Sequence, residues 1–143
     1  MVCDDVLAAR LGAAPGSRWV HVSQHRNDLD SGEMLVWGDV YIDQQFKGIT
    51  DRIANYDGFI CDLIEEEYGI AVSEIQQTIR PVTIPDAICA EMKLPTGSLG
   101  LEMTRRYLNY LNQPVEVSIN IFPAERSAYT ITLSRTQERA RDR

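Results

Sequence analysis

The sequence predicts an α+β domain, an antiparallel sheet with helices packed against it. Two observations carry that expectation. Strand-like runs outnumber helical ones, and hairpin turns join most of them. The chain also repeats itself faintly at one fixed offset. Asp5-Val6-Leu7-Ala8-Ala9-Arg10-Leu11 reads again as Asp86-Ala87-Ile88-Cys89-Ala90-Glu91-Met92, and both copies run into a loop ending at Gly16-Ser17 and Gly97-Ser98. Asp5 and Asp86 are 81 residues apart, as are Gly16 and Gly97. Each Gly-Ser leads into a strand-like run ending in Arg (Trp19 to Arg26, Leu101 to Arg106), a turn, and a partner run (Met34 to Ile42, Val115 to Phe122). Two helix–hairpin units could resemble each other by chance. A single pseudo-symmetric domain is the expectation, because either unit alone buries too little apolar surface to be stable.

Taken in order, residues 4 to 11 read as a short helix, with Asp4 or Asp5 as its cap and Gly12 as its stop. Trp19 to Arg26 alternates Val20 and Val22 with His21, Ser23 and His25, the period of a strand with one covered face. Asn27, Asp28 and Gly32 make the turn into Met34 to Ile42. Residues 44 to 56 read as a helical turn or loop. Gly58 to Tyr68 is an amphipathic helix that Gly69 ends, with Phe59, Ile60, Leu63 and Ile64 on one face. Ile70 to Ile84 alternates as a strand, and Pro85-Asp86 opens the repeated helix. The hairpin of residues 99 to 122 follows, and Tyr129 to Ser134 is predicted as a last strand.

At 143 residues with 44% apolar content, the chain can enclose a real core and is not mostly disordered. No apolar run approaches the roughly 18 residues that span a bilayer, and no basic-then-apolar signal opens the chain. A cytoplasmic protein without membrane contact is expected. Cys3, Cys61 and Cys89 read as reduced thiols, not a disulfide framework. Net charge is −7, and the four arginines of the last nine residues leave about −9 on the rest. Nucleic acid would repel such a body, and the basic end, residues 136 to 143, reads as a solvated tail.

The usual catalytic signatures are missing. His21 and His25 are four apart, but on a strand their Cβ atoms would sit roughly 13 Å apart, too far to share a metal. There is no Gly-rich phosphate loop, no Gly-x-Ser-x-Gly and no Cys-x-x-Cys. Glu65-Glu66-Glu67 reads as a solvated helix face. No catalytic residue, metal or cofactor is therefore assigned. What stands out is polar residues on strands that ought to be half covered. Arg26 ends one repeat strand, and Arg105 with Arg106 ends the other. By alternation Glu116, Ser118, Asn120 and Phe122 share the face opposite the row Val115, Val117, Ile119 and Ile121. A charge on a covered face demands a partner. Either Arg26 and Glu116 bind a ligand, or an Arg–Glu ion pair sits at a sheet edge.

The same residues carry a family resemblance. Leu11-Gly-Ala-Ala-Pro-Gly-Ser17, Tyr41-Ile42, Leu63-Ile-Glu-Glu-Glu-Tyr-Gly69, Leu94-Pro-Thr-Gly-Ser98, Arg105-Arg106-Tyr107, Asn112-Gln-Pro-Val-Glu116 and Phe122-Pro-Ala-Glu-Arg126 with Tyr129 and Leu133 resemble the UTRA effector-binding domain. That domain belongs to GntR-type (HutC-like) bacterial transcription regulators. The resemblance covers residues 4 to 135. It implies a chorismate-lyase-like sheet with a small-molecule pocket, a homodimer, and DNA binding only through an N-terminal winged helix-turn-helix that nothing here resembles. Residues 1 to 135 would then be the sensing domain. In relatives that sense amino-sugar phosphates, a strand-end Arg pair and the Glu of Pro-Val-Glu hold the ligand. Arg26 fits the second Arg, whereas Gln24 stands for the first. Glu116 is retained. Phe122 replaces a Tyr, Phe59-Ile60-Cys61 replaces a phosphate-binding Ser-Leu-Tyr, and Gly38, with Asp39 beside it, replaces a Glu. The resemblance thus implies a site of Arg26, Glu116, Gln24, Phe59, Cys61, Phe122, Asn120 and Arg105, suited to an organic acid or amino acid and not to a phosphosugar. Two other readings remain: an enzyme on this fold, with Arg26 binding a carboxylate and Glu116 as acid or base, and a pure dimerisation module.

Overall fold

Both Gly-Ser turns close in the same way. Gly16 and Gly97 adopt φ of +84° and +85°, a left-handed conformation that glycine enters without steric cost. The serines that follow donate their hydroxyls at 2.6 Å, Ser17 to the Ala14 carbonyl and Ser98 to the Pro95 carbonyl. Two matched turns in matched positions are not a coincidence of sequence. The computed structural model describes residues 5–56 and 58–135 and shows that what flanks these turns is also matched. Helix α1 (Asp5–Leu11) leads to strands β1 (Trp19–Asn27) and β2 (Met34–Asp43), and α4 (Asp86–Met92) leads to β4 (Leu99–Leu108) and β5 (Pro114–Pro123).

Between the two units run a 3-10 segment (Gln44–Ile49), α2 (Thr50–Ile53), α3 (Ile60–Tyr68) and β3 (Glu74–Thr83); a short 3-10 turn (Ala124–Arg126) follows β5. All pairings are antiparallel, in the order β1-β2-β5-β4-β3. The two hairpins thus meet at β2 and β5, where Asp39 faces Ile119. In the repeat β1 matches β4 at an offset of 81, as Asn27 and Leu108 show, and β2 matches β5 at 80, because the second turn is one residue shorter. On that numbering Asp39 is the counterpart of Ile119. A pseudo-two-fold axis therefore passes through the middle of the sheet.

Alternation divides the side chains between two faces. On one, α1 buries Leu7, Ala8 and Leu11 against Trp19, Tyr41, Val117 and Ile119, while α4 packs Cys89 with Ile84 and Ile121. On the other, α3 drives Leu63 and Ile64 into Val40, Ile42, Phe46, Ile49 and Tyr107, and Val115, expected in the row of Val117, Ile119 and Ile121, packs here instead. Gly69, at φ +69°, ends α3 as expected. Arg126 ties the units together. Its Nη1 donates to the carbonyls of Met34 (3.0 Å) and Met92 (3.3 Å), the second placing a cation at the end of α4.

Three expectations need correction. The strand read over residues 70 to 84 is shorter, Glu74–Thr83. The helix read from Gly58 begins at Ile60, because Phe59 is extended (ψ 144°) and stands at its N-cap. Tyr129 to Ser134 has the alternation of a strand but pairs with none and runs as irregular backbone. The basic tail of residues 136 to 143, Cys3 and the Asp4 cap lie outside the described residues.

Candidate functional site

One cavity, of about 760 Å³, lies on the α1/α4 face. All of its charged groups except the exposed Arg80 already have protein partners. Arg10 meets Glu102 at 3.7 Å, Asp39 bonds His21 at 2.7 Å, and Arg106 donates to the Leu11 and Gly12 carbonyls and to Gln76. It makes a poor ligand site for that reason.

The opposite face differs. A cavity of about 290 Å³ opens between the start of α3 and the centre of the sheet, bounded by Gln24, Tyr56, Phe59, Arg105, Tyr107, Glu116, Ser118 and Asn120. A second lobe of about 280 Å³ continues it toward the end of the first hairpin, through Arg26, Val36 and Phe122. The lobes share Gln24 and Asn120. Gly38 makes the junction possible: the Asn120 amide oxygen occupies the space that a Cβ would need.

Glu116 is the chemical centre of this site. It sits mid-sheet, facing Ile42 on β2 and Tyr107 on β4, and is 4% exposed. Its Oε1 has no hydrogen-bond partner. Burial pushes its pKa from 4.5 up to about 8, and the nearby Asp62 carboxylate adds to the rise. The group is therefore largely protonated at neutral pH. A buried carboxyl without a partner is expensive unless something arrives to meet it. Arg105, half-buried at the wall, donates its Nε to Gln77 Oε1 at 2.7 Å. Burial and the Glu116 charge hold the Tyr107 hydroxyl above its ordinary value, and a hydrogen bond with Arg105 opposes them.

Of the residues proposed from sequence, the structure gathers Gln24, Phe59, Arg105, Glu116 and Asn120 in the first lobe, and Arg26 and Phe122 in the second. Cys61 lines neither. It packs into the α3 cluster, where burial first, then the charges of Glu116 and Asp62, push its thiol up to about 11. The Arg26–Glu116 ion pair is not formed: Arg26 pairs with Val36 and Glu116 with Ile42, roughly 20 Å apart along β2. The histidines do not converge either. His21 stacks on Tyr41 at 4.7 Å and His25 on Trp37 at 6.3 Å. Glu66 and Glu67 both pair with Arg52, which secures α3 to the segment before it.

Sequence reading missed Tyr107 and Tyr56. Tyr107 was within reach, because alternation puts it on the face of Arg105; Tyr56 comes from a loop with no periodicity to place it. The repeat supplies a further point. At an offset of 81, Gln24 is the counterpart of Arg105, so the two stand related by the pseudo-axis. The Arg missing from the first hairpin is present in the second.

Known structures share this fold. The effector domain of PhnF from Mycobacterium smegmatis matches with a TM-score of 0.74 and 16% identity, over 94% of this chain and 82% of that one. A GntR-family transcriptional regulator from Bacillus cereus matches with a TM-score of 0.80 and 13% identity, over 93% and 91%. The C-terminal domain of YurK from Bacillus subtilis matches with a TM-score of 0.76 and 14% identity, over 92% and 88%. At these identities the likeness is one of fold. No curated protein matches the chain. The family model for the UTRA domain matches residues 1–128, and the chain belongs to the UTRA domain family.

Proposed function

We propose that this domain is the effector-binding half of a GntR-type transcription regulator, and that its effector is a small organic acid or amino acid bound between α3 and β5. The observation that carries this is the unpartnered, buried Glu116 carboxyl in a solvent-open cavity that Arg105 also lines. Arg105 is the anchor for a carboxylate. Glu116 meets an amine or hydroxyl of the same ligand, and Asn120 and Gln24 serve polar groups that reach the junction of the lobes. Arg26, exposed in the outer lobe, is a secondary anion contact. The apolar walls of Phe59 and Phe122 favour a compact ligand over a phosphosugar.

The domain works as a homodimer in the cytoplasm, without cofactor or catalysis, and reaches DNA through a separate domain. Ligand acts by binding one dimer arrangement more tightly than another. A thermal-shift screen of small carboxylates and amino acids tests the reading. A ligand at 100 times its dissociation constant stabilises by roughly 2.7 kcal/mol, about 5–10 °C for a domain of this size. That shift should vanish in Arg105→Ala and fall in Glu116→Gln. If no compound class raises the melting temperature, the effector reading is overturned in favour of a dimerisation module.

A further inference from the structure

Two successive glutamines steady two successive arginines, and the pairs face opposite ways. On the ladder of β3 and β4, Gln76 stands opposite Arg106 and Gln77 opposite Arg105. The first pair lies on the α1/α4 face. There Arg106 commits Nη1 to Gln76, Nε to the Leu11 carbonyl and Nη2 to the Gly12 carbonyl, so it fastens the end of α1 to the sheet. By alternation the second pair lies on the α3 face, where Arg105 lines the inner lobe with Tyr107 and Glu116.

Gln77 does more than its neighbour. Its Oε1 accepts from Arg105 Nε at 2.7 Å, and its Nε2 donates to the Tyr129 hydroxyl at 2.8 Å. Chemistry fixes that order. A guanidinium only donates, so the amide must turn its oxygen to Arg105 and its nitrogen to Tyr129. Tyr129 is placed in turn by the chain just after β5. Arg126 donates to the Met34 and Met92 carbonyls, and the Ser127 hydroxyl donates to the Pro123 carbonyl at 2.6 Å. The Tyr129 side chain completes a small apolar cleft with Ile79, Leu101, Met103 and Phe122, and Phe122 also lines the outer lobe. A single residue after β5 thus reaches groups of both lobes from behind.

We propose that Gln77 is a positioning residue of the effector site: anchored by Tyr129, it holds the Arg105 guanidinium ready for a ligand carboxylate, and occupancy of the site is felt in return at Tyr129. This rests on the reading of Arg105 as the carboxylate anchor. The guanidinium is a rigid plane, so fixing its Nε–H fixes the orientation of the whole fork. An arginine already held loses less side-chain freedom when the ligand arrives, and binds more tightly for it. Linkage makes the effect reciprocal. Whatever factor the Tyr129 contact adds to carboxylate affinity, a bound carboxylate adds to the Tyr129 contact.

Acetate is the probe. It is titrated at constant ionic strength into the whole chain carrying isotope-labelled arginine, and binding is followed by magnetic resonance at the Arg105 Nε–H, assigned with Arg105→Lys. The wild type should bind saturably. Tyr129→Phe removes one oxygen from an exposed residue and should weaken acetate about three- to tenfold, the range that one net hydrogen bond gives. Gln77→Ala should weaken it at least as much, and the double variant no further, because Tyr129 acts only through Gln77. Gln76→Ala, the same change on the other face, should leave acetate binding as it is. Acetate should also slow hydrogen exchange at residues 128–130 in the wild type and not in Tyr129→Phe. A wild type whose Arg105 resonance ignores acetate would overturn the anchor reading itself. Single variants that bind like the wild type, losses that add in the double variant, an equal loss in Gln76→Ala, or exchange that acetate leaves unchanged would each overturn the positioning role and leave the anchor standing.

Discussion

The two halves of the sheet began from one pattern and were put to different uses. On the α3 face, β2 carries Val36, Gly38, Val40 and Ile42, whereas their counterparts on β5 are Glu116, Ser118, Asn120 and Phe122. The first half is apolar or bare throughout, whereas three of the four positions in the second are polar. The helix that covers both, α3, follows only the first half. The first copy thus supplies the lid along with Gln24 and Arg26, and the second supplies Arg105, Glu116, Ser118 and Asn120. A duplicated unit with both faces apolar would have packed shut.

The comparison is broken most severely at Trp19. This residue is 2% exposed and anchors the first half; its counterpart is Gly100, where Ile84 fills the space and a Cβ would come within 2.8 Å of the Phe122 carbonyl oxygen. Trp19→Ala should cost about 3–5 kcal/mol by urea denaturation. A loss below 1 kcal/mol would mean that α1 is not part of the cooperative core.

Glu116 comes next, with an effect of opposite sign. Its folded pKa is raised to about 8 from 4.5. Protonated Glu116 is tolerated below pH 4.5, and the folded state is penalised progressively as pH climbs from 4.5 through 8. Glu116→Gln should therefore match the wild type near pH 4.5 and exceed it by on the order of 3 kcal/mol at pH 7. Denaturation of both proteins across that range checks the sign. A variant less stable at neutral pH would reveal a charge partner that the structure lacks.

Smaller effects sharpen the contrast. Gly38→Ala brings a methyl against the Asn120 side chain and should cost about 1–2 kcal/mol. It should also narrow the junction of the two lobes, measurable as weaker binding of any effector the screen finds. Arg26→Ala should change stability by less than about 0.5 kcal/mol, because the side chain is exposed and forms no ion pair with Glu116. A larger loss would return Arg26 to a structural role.

Much of this was legible before any coordinates. The repeat offset, the two Gly-Ser turns, both hairpins and the stop at Gly69 follow from local rules, because turns and caps depend on the φ that a few neighbouring residues can adopt. Alternation also identified Glu116 and Asn120 as sharing a face, since a strand's period needs no knowledge of its neighbours. Alternation is silent on which strands become central. The Arg26–Glu116 pairing failed for that reason: both side chains point to the α3 face, but register sets them beside opposite ends of β2.

The tertiary structure decided the rest. Tyr129 to Ser134 has every local mark of a strand, and local propensity does not supply an edge to pair with. Arg105 replaced Arg26 as the cationic wall of the inner lobe because β4, not β1, lies beside β5. The raised pKa of Glu116 belongs to no motif. It arises when α3 closes over a central strand and removes water from a carboxyl that the sequence alone would leave ionised. Sequence determined which residues turn, alternate and cap, since those choices are settled within a few peptide units. Burial and adjacency are properties of chain segments brought together from far apart, and only the folded sheet could assign them.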